Sequence, residues 1–222
     1  MGEAAGKPPL LFVEGIVSYL TRLQIRKIAL ADQGDDDSTN HYGSVVDDWI
    51  DLAVKEFVGP HGVEDHWTWT TEEGERSVPC PPGFINVKLL MYDGRPLREV
   101  HLNQMDFTNE GTTSYVDRYA IWKQPRPEIV MGPHPPSDSL TLEMYYYRLP
   151  HRLRNDREYP EVPDLFQHHI AEYVSARLRS ADGNETGAGQ KMDSFRQGRK
   201  EFWEWRISAG RDGFQQVTVE DY

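Results

Sequence analysis

The stretch that most constrains this chain runs from Leu140 to Leu178, because its apolar period changes there from that of a strand to that of a helix. Leu140-Thr-Leu-Glu-Met-Tyr-Tyr-Tyr147 alternates as a half-buried strand does. It leaves the sheet through Arg148-Leu149-Pro150 and a polar connector, Asn155-Asp156-Arg157-Glu158. After Tyr159-Pro160-Glu161-Val162-Pro163 a helix is predicted from Asp164 to Arg179. Pro160 and Pro163 bias the residues before them towards extended backbone, so the helix starts no earlier. Asp164 and Gln167 have the spacing of a capping box. Phe166, Ile170, Tyr173, Val174 and Leu178 share one helical face. A sheet therefore hands over to a packed helix, and the remaining chain must supply strands before it and helices at both ends.

The order of elements follows from similar signals. Residues 1–10 read as a flexible lead, and 11–63 as two helices. The first runs from Leu11 to about Leu30, with Phe12, Ile16, Tyr19, Leu20, Leu23, Ile25 and Ile28 mainly on one side. The acidic run Asp32 to Ser38 breaks it and reads as a solvated loop. The second is capped by Ser44, buries Val45, Val46, Trp49, Ile50, Leu52, Ala53 and Phe57, and ends at Gly59-Pro60. From 64 to 148 the period is that of antiparallel strands. His66 to Thr70 carries Trp67 and Trp69 on one face. Phe84 to Tyr92 turns through Asp93-Gly94 into a returning strand, Leu97 to Leu102. Tyr115 to Lys123 and Glu128 to Met131 follow. Residues 149–210 hold the helix at 164 and, after a flexible connector from Ala181 to Gly189, a last helix from Lys191 to Ser208 ended by Gly210. Residues 211–222 read as an extended tail in which Val217 and Val219, flanked by Phe214 and Tyr222, have the spacing to add to a partner's sheet. The fold class expected is α+β: a helical bundle from both ends of the chain, a central antiparallel β domain and an extended C-terminal tail.

Charge narrows the function. The chain of 222 residues carries 36 acidic against 24 basic side chains, a net charge of -12, which disfavours a grip on phosphate backbones. It is compatible with nucleic acid sliding past. Apolar runs are far too short for a membrane span, and the first residues lack an export pattern. Cys80 stands alone, so no internal disulfide forms, and Asn184-Glu-Thr186 reads as an accidental sequon.

No arrangement of side chains points to catalysis. There is no Gly-x-Ser-x-Gly elbow and no phosphate-binding glycine loop, and Cys80 lies between prolines with no base beside it. His61 and His66 bracket Glu64-Asp65, and His168-His169 sit together on a helix, but neither pair has a metal-site spacing. Neighbouring carboxylates such as Asp47-Asp48 and Glu72-Glu73 diverge on helix or strand. The chain reads as a non-enzyme without cofactor or metal.

Four passages resemble the head-to-tail adaptor (head-completion, or connector) proteins of tailed bacteriophages. They are Val46-Asp-Asp-Trp49-Ile-Asp-Leu-Ala53; Val78-Pro-Cys-Pro-Pro-Gly-Phe-Ile-Asn-Val87 with Leu90 to Leu97; Tyr119-Ala-Ile-Trp122 with Ile129 to Pro133 and Pro135 to Tyr145; and Leu149-Pro150 leading to Val162-Pro163 and its helix. The resemblance covers about residues 12–208. It implies a structural protein of the virion neck, made in the host bacterial cytoplasm, that forms a ring of roughly twelve copies matching the portal's cyclic symmetry. The ring would bridge the portal to a tail or nozzle protein and extend the DNA channel. It also implies a portal-docking tail, assigned to Phe214, Val217, Val219 and Tyr222. An acidic channel lining would keep the genome from sticking, with Asp32, Asp35, Asp36 and Asp37 as candidates. Two rival readings are a tail-side neck or tail-completion protein, and a carbohydrate-binding β module. The module predicts Trp67 and Trp69 exposed at a cleft; the adaptor predicts them packed or at a subunit contact.

Overall fold

The structure, a computed structural model, describes residues 19–34, 43–105, 115–123, 126–133 and 139–213. Four helices form one layer: α1 (Arg22–Ala31), α2 (Gly43–Val58), α3 (Asp164–Ala181) and α4 (Glu185–Gly213). Eight strands lie between them in sequence. β1 (Val63–Thr70), β3 (Phe84–Tyr92), β4 (Arg95–Pro96) and β8 (Thr141–Arg148) form one sheet, in the order β1-β8-β3-β4. β2 (Ser77–Pro79), β5 (Arg98–Glu99), β6 (Val116–Trp122) and β7 (Glu128–Pro133) form the other, in the order β2-β7-β6-β5. All pairings are antiparallel except that of β5 with β6. The fold is α+β, as expected.

The bundle grows from α3, against which α1, α2 and α4 all pack. Phe166, Ile170, Tyr173, Val174 and Leu178 are all buried on the predicted face. Phe57 of α2 lies at the centre, with ring centroids 6.2 Å from Phe166, 5.6 Å from Phe195 and 5.3 Å from Phe202. α3 and α4 approach so closely that a Cβ at Gly198 would fall on the His169 ring. The two sheets stack into a sandwich around Leu90, Ile129, Met131, Leu142 and Met144.

Several boundaries differ from those expected. Tyr19 and Leu20 are not helical; α1 starts at Arg22 behind a capping box made by Thr21 and Gln24. Residues 11–18 of the expected helix, with Phe12 and Ile16, lie outside the described residues, as does the lead 1–10. Ser44 falls inside α2 rather than before it, and Val45 and Leu52 are exposed while Val54 and Val58 take the inward positions. Asp164 does not cap α3. The N-cap is Pro163, and Gln167 is turned inward and wholly buried. Its Oε1 accepts the Leu20 amide at 2.6 Å, and its Nε2 donates to the Val162 carbonyl at 2.8 Å.

The segment after Asp93-Gly94 pairs with β3 for two residues only, crosses at buried Leu97 and joins the second sheet as β5. Its end, Leu102–Gln104, is a short 3-10 turn rather than strand. Asp93 (φ 50) and Gly94 (φ 72) provide the left-handed pair of the tight turn. The connector read as flexible from Ala181 to Gly189 is largely helical. α4 begins at Glu185, because the Asn184 side chain accepts the Gly187 amide at 3.0 Å and Ala188 is buried against the bundle. α4 also runs through Gly210 to Gly213, so Arg211–Gly213 are helix and not extended tail. Packing of Phe195 and Phe202 against the bundle outweighs the low helix propensity of the glycines.

Candidate functional site

The bundle and the sandwich meet where the chain leaves β8, and that junction is organised by one side chain. Arg148 is 6% exposed. Its guanidinium grips Glu161 through two parallel bonds of 2.9 and 2.7 Å and turns its Nε to Asp65 on β1. Glu161 also accepts the His151 amide at 2.7 Å. The hydrogen bonds that Arg148 donates to Glu161, against the cost of burial, raise the Arg148 pKa. The hydrogen bond from Arg148 holds Asp65 below the usual carboxylate range. Both ends of the connector 149–163 are thereby fixed to the sheet.

The connector's middle is fastened to the bundle. Asp156 receives Arg22 and Arg26, each at 2.9 Å, and the Arg22 bond first among them keeps its carboxyl low. Arg26 also pairs with Asp47. Asp51 on α2 accepts the Leu153 amide at 3.0 Å and Arg152 at 2.8 Å. Over these ties the surface forms an open depression of about 650 Å³, lined by His151, Arg152, Arg154, Arg157, Tyr159 and Glu161 among others. On the other side of Glu161 a smaller groove of about 260 Å³ runs between Val63, Pro163, Phe202, Trp205 and Arg206. Trp205 in its lining is 45% exposed, and Leu165, two residues after Pro163 in the chain, is 64% exposed. Two recesses flank one connector, and apolar side chains are left uncovered at the smaller one.

Of the candidate channel and tail residues, Asp32 falls within the described residues. Asp32 closes a small network: its carboxylate meets Arg179 at 2.9 Å and Lys191 at 3.1 Å, and Lys191 reaches Glu172 at 3.1 Å. Against a burial cost, those two cations hold Asp32 below its usual range. Asp32 is therefore a bundle tie and not part of a free acidic loop. Asp35, Asp36 and Asp37 lie outside the described residues, as do Phe214, Val217, Val219 and Tyr222. Sequence spacing offered no hint of Arg148, whose partner Asp65 is remote in the chain, and it pointed Gln167 to a cap rather than to the distant Leu20 amide.

Trp67 and Trp69 stack on each other at 5.6 Å and pack against the sandwich core, and the Trp69 indole donates to Glu75 at 3.1 Å. They are packed residues rather than the floor of a cleft. His169 is buried between α3 and α4, and burial, with His168 adjacent, lowers its pKa. Burial, with Glu128 nearby, pushes the Cys80 thiol up to about 12, which leaves it a poor nucleophile. Among the described residues no group of three or more His, Cys, Asp or Glu could hold a metal ion, and no helix is long and apolar enough to cross a membrane.

No curated protein matches the chain. The sequence model of the SU10 adaptor protein family matches residues 20–218, from the residue bolted by Gln167 to beyond α4.

Proposed function

Because the chain belongs to the SU10 adaptor protein family, we propose that this phage structural adaptor is a neck protein that forms a ring between the portal and the tail. The observation that carries the reading is the match itself, which spans both the bundle and the sandwich. In this reading the copies form a closed ring of roughly twelve, set by the portal's symmetry. The ring bridges capsid to a tail or nozzle protein and extends the DNA channel.

The physical properties of the chain support that role. A net charge of -12 keeps a passing duplex from adhering. The acids at 35–37 suit the channel wall better than Asp32, whose charge Arg179 and Lys191 already neutralise. The uncovered apolar side chains Leu165 and Trp205 suit a subunit contact. Phe214, Val217, Val219 and Tyr222 supply a segment able to dock on the portal. The work is structural, with no catalysed reaction and no cofactor, and its place is the virion neck.

The test is co-purification with the portal protein encoded nearby in the same genome, imaged as single particles. The expected result is a ring of this protein stacked coaxially on the portal and lost when residues 214–222 are deleted. A ring that survives the deletion keeps the neck role and removes the docking tail. No association with an intact portal would transfer the protein to the tail side of the neck.

A further inference from the structure

The outer strands of the two sheets are unequal. β2, β4 and β5 are three, two and two residues long, and β2 and β4 include Pro79 and Pro96. Short edges and prolines deny a foreign strand its ladder. β1 is different: eight residues, no proline, and an unbroken register along β8. The His66 amide donates to the Asp65 side chain at 2.8 Å, while the Thr71 amide bonds across to Leu140. The backbone groups of Glu64, His66, Thr68 and Thr70 therefore face the side of β1 that no other strand occupies among the described residues. An inward charge at Asp65 would repel an added strand, but Arg148 neutralises it. A long, regular edge of this kind is a template for another strand unless something covers it.

α4 reaches that edge. Arg206 donates to the Gly62 carbonyl at 2.7 Å, lies 4.0 Å from Glu64 and stands 5.6 Å over the Tyr147 ring. The helix then continues to Gly213, about 10 Å further along its axis. Phe214-Gln215-Gln216, when extended, covers about the same 10 Å, enough to bring the chain back to the start of β1. Val217-Thr218-Val219, the first residues to arrive, are β-branched and suit a strand. Tethering to α4 places them at an effective concentration on the order of millimolar, which favours the chain's own edge over that of another copy.

We propose that Val217–Tyr222 pairs with the open edge of β1 in the same chain, extending the sheet β1-β8-β3-β4 by one strand. The tail that docks on the portal in the neck reading is then held in the free protein, and β1 is shielded from other strands until the tail is released. The pairing itself does not depend on the neck reading.

The test is amide hydrogen exchange at Thr68 and Thr70 in the full chain without any other protein, compared with the Val217→Pro/Val219→Pro variant. Exchange is expected to be about tenfold faster in the variant, the size of a docked population of roughly nine in ten, and to be unaffected by dilution. The substitutions fall outside the described fold, and unchanged exchange at Ile50 and Phe57 verifies that the bundle is intact. Equal rates at Thr68 and Thr70 in the two proteins would overturn the proposal. So would protection that fades on dilution, which would assign the segment to a second copy. Because no portal is in the sample, either failure leaves the neck reading standing.

Discussion

In the bundle, aromatic rings from α2, α3 and α4 converge on Phe57, so much of the burial passes through one residue. In the sandwich, the fully buried side chains are aliphatic or sulfur-bearing and spread over both sheets, and its two tryptophans stack at the side of the core. Three helices joined through a common centre make a layer that a single truncation can loosen. Two sheets laced by many equivalent cross-strand neighbours tolerate any one loss better. Between the two regions lies a polar joint, Arg148 with Asp65 and Glu161, which adds direction rather than burial.

The contrast can be broken most directly at its centre. Phe57→Ala should cost about 4 kcal/mol, near the upper part of the range for large-to-small core changes, whereas Leu142→Ala in the sandwich, also fully buried, should cost about 2 kcal/mol, at the bottom of its range. Urea midpoints of the two variants would read the difference, and equal losses would remove the idea of a concentrated bundle core. Next in size is the joint. Arg148→Met leaves Asp65 and Glu161 without their shared cation and should cost about 3 kcal/mol, the lower end of the range for a broken buried pair, because Asp65 keeps 37% side-chain exposure.

The same variant has a signature in pH. Asp65 and Glu161 titrate below their ordinary values in the folded chain, so the stability they add is present above about pH 4 to 5 and is lost as pH falls through and below that range. In Arg148→Met that loss should be smaller, and urea melts between about pH 7 and 3 would show a flatter profile. An unchanged slope would mean that other carboxylates, Asp32 and Asp156 among them, dominate the acid response. Thr21→Ala removes the α1 cap and should cost about 1 kcal/mol. The exposed Lys200–Glu204 pair should contribute only a few tenths, so Lys200→Ala serves as the control.

The sequence was most legible where one period persisted and neighbours in the chain were neighbours in space. The apolar face of α3 and the Asp93-Gly94 turn were readable for that reason. It was least legible where a remote partner decides the local structure. Gln167 has the spacing of a capping residue, and only the presence of Leu20 and Val162 turns it inward. The glycines of α4 read as linker because the phenylalanines that hold the helix lie further along the chain. Asp32 reads as one of a solvated run because Arg179 and Lys191 arrive from the other end of the chain. Of the residues expected to line a channel or dock a tail, Asp32 alone falls within the described residues. The junction residues carried no recognisable spacing because ion pairs between distant segments leave none.

The bond from Leu20 to Gln167 joins positions 147 residues apart. During synthesis, at about 5–20 residues per second, that separation is a delay of roughly seven to thirty seconds. All eight strands have been made once Arg148 is added, while Ile25, Ile50 and Phe57 still wait for α3 and α4. In that interval the nascent chain carries every strand of the sandwich but only two helices of the bundle, whose apolar faces have yet to meet their partners.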